Sequence, residues 1–238
     1  MSGHNKWSQI KHKKAKEDAK RGQAFTKLIK EITIAARSGG GDPAGNPKLR
    51  LLLEKAKDIN MPIDNAQRAI KRGTGELPGV QYEAITYEGY GPGGIAIMVD
   101  TLTDNKNRTV AELRHMFSHK GGTLAETGAV GWMFDRQGVI KVTGKATEDQ
   151  LLEWLIDFNI NDVQTDETGM YVFCDPKSVE TVRQALATHP EVKVESAEIE
   201  WVAKNTMNIS EDNASKAYDL LSELQDHEDV QNVFTNLA

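Results

Sequence analysis

The residues best placed to do chemistry are cations near the start of the chain. From Met1 to Arg37 there are ten Lys and Arg residues against three acids, a net charge of +7 in a chain whose total is −6. Lysines spread along a helix can displace the counterions of a phosphate backbone, so this excess predicts a nucleic-acid ligand, with a merely solvated charged face as the alternative. The ten are Lys6, Lys11, Lys13, Lys14, Lys16, Lys20, Arg21, Lys27, Lys30 and Arg37.

The spacing of these cations predicts helices with one basic face each. Apolar residues recur at helical spacing from Phe25 to Ala36, which indicates one packing stripe. At 100° per residue the opposite face carries Lys20, Lys27, Lys30 and Arg37. A second basic stripe upstream consists of Lys13, Lys16 and Lys20. Trp7 could stack on a base beside these lysines, or it could pin a helix end to the core.

Two further pairs of cations are candidate phosphate contacts. Lys48 and Arg50 follow the glycine loop Gly39–Gly41. A helix N-terminus after such a loop attracts anions, although a plain helix-to-helix connector is the favoured explanation of the loop. Lys106 and Arg108 stand at a predicted helix start, where cations oppose the macrodipole. This unfavourable placement points to binding, while Asn capping explains most of the local motif.

Other patterns resemble catalytic or cofactor motifs, but the residues around them do not fit the corresponding sites. Gly89–Gly94 matches G-x-G-x-x-G, but the β-branched residues after it predict a strand where a dinucleotide site needs a helix. His115 and His119 are spaced i, i+4, yet no Cys cluster or HExxH pattern supplies further zinc ligands. Cys174 lies in an apolar segment with no basic neighbour to activate it. We therefore expect no enzyme activity, no metal and no cofactor.

Charge is divided unevenly along the 238 residues. Residues 1–80 carry a net charge of +9, residues 81–146 are neutral, and residues 147–238 carry −15. Such a molecule would meet a polyanion with its basic end first. No apolar run approaches the length of a membrane span, and the start of the chain has no signal-peptide core. The single Cys suits a reducing cytoplasm, so we expect a cytoplasmic protein.

The elements that position these residues change character near Gly79. Before it, helical patterns predominate, with Asn46 as an N-cap and Pro47 at the first helical position. After it, strand and helix patterns alternate in two sets, which predicts two α+β sandwiches. Asn105 or Asn107 is expected to cap the helix that follows, in which Thr109 and Glu112 are spaced as a capping box. A hairpin is expected over residues 130–142, with its turn at 135–138.

Several stretches, in order and correctly spaced, resemble the YebC/PmpR family. The resemblance is carried by Gly3–Trp7, Lys20–Gly22, Phe25–Lys27, Gly39–Pro43, Asn46–Pro47, Asn60–Pro62, Arg68–Gly73, Tyr87–Gly94 and Asp104–Thr109. It includes kinship with the mitochondrial translational activator of cytochrome oxidase.

This resemblance implies a multidomain α and α+β fold in which one of two ferredoxin-like sandwiches is inserted in the other. The expected domains are a basic helical domain 1–79, a discontinuous domain 80–128 plus 205–238, and an inserted acidic domain 129–204. The family's usual description implies a DNA-binding transcriptional regulator, whereas the mitochondrial relative implies a ribosome-associated translation factor that binds ribosomal RNA. From the residues alone, another function stays open, that of an acidic protein-docking module whose basic end is merely solvated.

Overall fold

The computed structural model describes residues 21–238, and its elements are numbered here from the first described helix. The helices are α1 (Arg21–Gly39), α2 (Pro47–Asp58), α3 (Ile63–Gly73), α4 (Lys106–His119), α5 (Glu148–Trp154), α6 (Val179–Leu186) and α7 (Glu211–Asp226). The strands are β1 (Glu83–Tyr90), β2 (Ala96–Thr103), β3 (Thr123–Ala125), β4 (Phe134–Gly144), β5 (Ile160–Asp166), β6 (Gly169–Cys174), β7 (Val192–Ala203) and β8 (Val230–Thr235). Described residues 21–130 and 209–235 form one compact unit, and residues 131–208 with 236–238 form another.

The first unit begins with three helices that share an apolar core. The predicted stripe of α1 packs there against α2 and α3. The buried members of this core are Leu28, Ile32, Ala35, Leu49, Leu52, Ala56, Met61, Ala66 and Ala69. The Asn46 cap is confirmed, because its Oδ1 accepts the Leu49 N–H at 3.1 Å. Its Nδ2 donates to the Ala35 and Gly40 carbonyls, so one side chain ties the end of α1 to the start of α2.

Helices α1 and α3 approach each other closely at Gly73. A Cβ at this position would lie 2.4 Å from the carbonyl oxygen of Thr33 and 2.8 Å from the Cβ of Ala36. Only a residue without a side chain allows the two backbones this distance. Gly73, the last residue of α3, is therefore required by the packing of the two helices.

An antiparallel sheet completes the first unit, with strand order β3-β1-β2-β8. The predicted strand after Gly89–Gly94 is confirmed as β2, which forms a hairpin with β1 in a register that pairs Glu83 with Thr103 and Tyr90 with Ala96. Gly91–Gly94 forms the turn, in which Pro92–Gly94 makes one short 3-10 turn before β2. The glycine motif is thus followed by a strand, as the β-branched residues after it predicted.

Helix α4 begins one turn earlier than the expected capping box allows. Asn105 is the N-cap, since its Oδ1 accepts the Arg108 N–H at 3.1 Å. The predicted box from Thr109 to Glu112 is wrong, because Thr109 lies inside the helix and is fully buried. The Thr109 hydroxyl hydrogen-bonds to the Thr103 hydroxyl and to the buried carboxylate of Asp229.

The second unit is a βαββαβ sandwich, formed by β4-α5-β5-β6-α6-β7, whose antiparallel sheet has the order β5-β6-β4-β7. This is the connectivity of a ferredoxin-like fold. The predicted hairpin over 130–142 is wrong, because β4 continues without a turn from Phe134 to Gly144. Gly138, expected in a turn, instead faces the core, where a Cβ would lie 2.3 Å from Val179 and 2.7 Å from the Cys174 sulfur.

The core of the second unit lies between its sheet and its two helices, and it includes Ile140, Leu151, Val172, Val182 and Leu186. Cys174 is fully buried there. Burial raises the pKa of the Cys174 thiol to about 11, so it stays protonated at neutral pH. Among residues 21–238, no helix is long and apolar enough to cross a membrane.

Candidate nucleic-acid interface

The predicted cationic surface lies partly within the described residues. Lys6, Trp7, Lys11, Lys13, Lys14, Lys16 and Lys20 lie outside them, as does the side chain of Arg21. The described candidates are Lys27, Lys30, Arg37, Lys48, Arg50, Lys106 and Arg108. These seven separate into cations that the fold uses internally and cations that reach the surface.

The basic face predicted for α1 is not a solvent face along its whole length. Lys30 is only 6% exposed, and Lys27 is half-buried. The Lys27 Nζ donates to the Gln225 carbonyl, and the Lys30 Nζ donates to the Glu228 carbonyl at 3.1 Å. The assignment of Lys30 to phosphate is therefore corrected, because α1 is packed on two sides and this lysine faces the unit's own interior.

Asp229 is the acceptor that holds these cations. It lies just before β8, is fully buried, and its Oδ1 is 2.6 Å from the Lys30 Nζ. Its Oδ2 accepts from the Arg108 Nη2 at 3.0 Å and from the Thr109 hydroxyl at 2.8 Å. One carboxylate thus connects α1, α4 and the segment before β8.

Burial would raise the pKa of Asp229, but its bonds to Lys30, Arg108 and Thr109 outweigh burial and hold the pKa at about 2. The group is therefore ionised at neutral pH and stays paired with two cations. Removing either this buried carboxylate or one of its cationic partners is therefore costly in folding free energy. No sequence pattern marks Asp229, since a lone acid before an apolar strand is unremarkable.

Arg108 is a positioning residue more than a free cation. Its Nη2 also lies 2.9 Å from Asp104 and 3.8 Å from Glu228. These bonds correct its assignment as a nucleic-acid contact, because three carboxylates of this chain surround the guanidinium. Lys106, the first residue of α4, is exposed.

Exposed cations collect instead on the ends of the three helices. Arg37 lies in the last turn of α1, and Lys48 lies in the first turn of α2. Arg50 is half-buried and engaged in contacts of its own. Further exposed cations are Lys57 on α2 and Arg68, Lys71 and Arg72 on α3. They were missed as candidates from the sequence, although Arg68–Gly73 is one of the stretches that carry the family resemblance. No ion pair joins Arg37, Lys48, Lys57, Arg68, Lys71 or Arg72 to another residue of the described chain.

The two histidines at i, i+4 interact with each other. The rings of His115 and His119 stack with centroids 5.8 Å apart. Within residues 21–238, no group of three or more His, Cys, Asp or Glu side chains is arranged to hold a metal ion. Neither histidine therefore belongs to a described metal cluster.

A basic helical region followed by two antiparallel α+β sheets defines the class to which this protein belongs. Residues 5–76 match the family model described as the TACO1/YebC protein N-terminal domain, and residues 82–237 match the one described as the TACO1/YebC second and third domain. The chain belongs to the TACO1/YebC family.

Relatives share the whole length of the chain. A protein of Chlorobaculum parvum named "Probable transcriptional regulatory protein" is 52% identical over 100% of this chain and 95% of its own. One of the same name from Desulfosudis oleivorans is 53% identical over 100% of this chain and 97% of its own. The crystal structure of a conserved hypothetical protein from Aquifex aeolicus superposes with a TM-score of 0.86 at 43% identity, covering 94% of this chain and 93% of the other.

Proposed function

We propose that this chain is a non-enzymatic regulator of gene expression that binds nucleic acid through its basic helical region. The observation that carries the proposal is the segregation of charge, from +9 in residues 1–80 to −15 in residues 147–238. The names of the relatives support a regulatory role. A molecule charged in this way approaches a phosphate backbone basic end first.

The proposed contact surface combines two sets of cations. The first is the sequence segment 6–21, up to the first residue of α1, which supplies Lys6, Lys11, Lys13, Lys14, Lys16, Lys20 and Arg21 together with Trp7. The second is the set of exposed helix-end cations, of which Arg37, Lys48 and Arg72 are the clearest. Lys106 is retained as a peripheral contact, whereas Lys30 and Arg108 serve the fold.

Duplex DNA is the ligand that the names of the relatives favour. A specific observation also favours structured RNA as the second candidate, in the manner of a translation factor on ribosomal RNA. Eight of the ten cations before Ser38 are lysines, and bidentate reading of guanine prefers arginine. Lysine-led contacts bind the backbone with little base specificity, which suits a folded RNA as well as DNA.

The acidic second unit is proposed to bind a protein and not the nucleic acid. Its helix α5 presents Leu152 among Glu148, Asp149 and Glu153, and the 77% exposed Ile156 follows in the short 3-10 turn after the helix. The alternative from another functional class is a protein-docking module that binds only through this surface and whose basic end is merely solvated.

Salt-titrated binding to duplex DNA and to a ribosomal RNA fragment tests the proposal. We expect log affinity to fall with log salt by about 0.9 per phosphate contact on duplex DNA and about 0.7 on single strands. Replacing Lys13, Lys16 and Lys20 by Glu should abolish binding. The matched control replaces exposed Lys145, Lys177 and Lys216 by Glu, which changes net charge equally but outside the basic helical region.

The outcomes separate the alternatives. Equal loss in both triple variants would mean that net charge alone drives binding, and the surface assignment would fail. A flat salt response for both ligands would favour the protein-docking alternative. In-cell crosslinking followed by sequencing then distinguishes promoter DNA from ribosomal RNA.

A further inference from the structure

A cleft opens in the first unit beside the exposed helix-end cations. Its volume is about 380 Å³. This volume falls within the range of small-ligand sites. Its lining residues are Thr33, Arg72, Pro78, Gly79, Val80 and Tyr82, so it lies where α1, α3 and the segment leading into β1 meet.

The walls of the cleft are apolar and open to solvent. Val80 is 50% exposed, although it belongs to the lining, and nearby Leu77 is also exposed. The ring of Tyr82 is half-buried in the same wall. An aromatic ring with exposed aliphatic neighbours offers a flat apolar surface of the kind that stacks with a nucleobase.

Two guanidinium groups flank this apolar surface. Arg72 lines the cleft, and its stem packs along Gly79, where an added Cβ would lie 3.1 Å from the Arg72 Cβ. The Arg37 Nη2 lies 3.5 Å from the carbonyl oxygen of Val80. Both arginines are exposed, and their planar donors suit a phosphate or the face of a base.

The carboxylates near the cleft are paired with two cations of the same unit. Asp104 and Glu228 lie within 2.9 and 3.8 Å of Arg108, and Asp229 is shared between Arg108 and Lys30. The Lys30 Nζ also lies 5.6 Å from the centroid of the Tyr82 ring. Lys30 and Arg108 therefore offset part of the repulsion that these three acids would exert on a phosphate at the cleft.

Tyr82 is a neutral donor under physiological conditions. Burial and then the charge of Asp104 raise its pKa above the ordinary tyrosine value, so the phenol does not ionise near neutral pH. A neutral phenol adds a hydrogen-bond donor and acceptor at the edge of the apolar wall.

We propose that this cleft takes one unstacked base of the bound nucleic acid, with the base on the Tyr82 ring and the adjoining phosphate on Arg72 and Arg37. Lys30 approaches one face of the ring, and the base stacks on the other. The inference rests on the proposed nucleic-acid function and adds a single-nucleotide subsite to it. Unpaired bases in loops and bulges are bound in this way by aromatic rings and arginine planes.

The test uses the full chain and a hairpin probe made as RNA and as DNA. One probe carries a single bulged 2-aminopurine, a second has an abasic site at the same position, and a third is fully paired. We expect the bulged base to bind about 5- to 100-fold more tightly than the abasic probe, as one stacked base provides. We also expect the 2-aminopurine fluorescence to be quenched on binding.

Variants locate the effect. Tyr82→Phe should keep the preference for the bulged base, Tyr82→Ala should remove it, and Tyr90→Ala at the far end of β1 is the matched control. Val80→Trp, at an exposed position, should fill the cleft and remove the preference without touching the core, so the test does not depend on the stability of Tyr82→Ala.

The failures are distinguishable. Salt-dependent binding that is equal for bulged and abasic probes would overturn the subsite and leave the proposed function standing. A preference that survives both Tyr82→Ala and Val80→Trp would exclude this cleft as its location. Absence of salt-dependent binding to every probe would overturn the proposed function, and the subsite with it.

Discussion

Lys30 on α1 and Asp229 before β8 are 199 positions apart and form a buried ion pair, with 2.6 Å between Nζ and Oδ1. The pair ties the helical region to the sheet of the first unit. It also explains why a lysine in a strongly basic stretch is unavailable for a ligand. The same carboxylate holds Arg108, so two cations of the sequence pattern belong to the architecture.

Removing the charge of Asp229 should destabilise the first unit. Asp229→Asn leaves Lys30 buried without its counter-ion, and breaking such a pair costs about 3–5 kcal/mol. Denaturant unfolding followed by circular dichroism measures the loss. Glu228→Gln is the control, because this neighbouring carboxylate is exposed and such surface ion pairs contribute about 0–1 kcal/mol. Equal effects of the two variants would contradict the structural role of Asp229.

The stabilisation from Asp229 should depend on pH in one direction. Its folded pKa of about 2 lies below the value of 3.8 for the free group. Its contribution is therefore present above pH 3.8 and is lost as the pH falls towards 2, an effect of about 2 kcal/mol by linkage. Unfolding free energies of the wild type and Asp229→Asn should converge over this window. A difference that stays constant from pH 5 to pH 2 would contradict the pKa.

Two glycines of the helical region should respond oppositely to alanine. Gly73→Ala places a Cβ 2.4 Å from the Thr33 carbonyl, so α1 and α3 must separate, at a cost of about 1–3 kcal/mol. Gly22→Ala meets nothing within 4 Å and should stabilise α1 by about 0.5–1 kcal/mol. Thermal unfolding of both variants checks the sign. Similar shifts in melting temperature would contradict the close helix contact.

Cys174 should react with thiol reagents only when the second unit opens. The thiol is fully buried and its pKa of about 11 leaves little thiolate near neutral pH. A disulfide-exchange reagent should label the native chain at least about 100-fold more slowly than the denatured chain, which serves as the reference. Rapid stoichiometric labelling of the native chain would contradict the burial of Cys174.

The periodicity and capping signals of this chain determined much of its architecture. The apolar stripe of α1, the Asn46 cap and the β1-β2 hairpin follow from local spacing, because each depends on residues that are neighbours in the chain. The prediction of a turn at 135–138 was wrong because it, too, used only residues that are neighbours in the chain. Local composition cannot reveal that Gly138 is small in order to admit Val179 and Cys174.

By itself the sequence determined where positive charge is concentrated and that the fold is helical first and α+β afterwards. Only the tertiary structure decided which cations are free. Whether Lys30 or Arg37 reaches solvent depends on what packs against α1, and Asp229 arrives there from the other end of the chain. Burial and ion pairing are properties of contacts across sequence distance, so no local pattern could assign them.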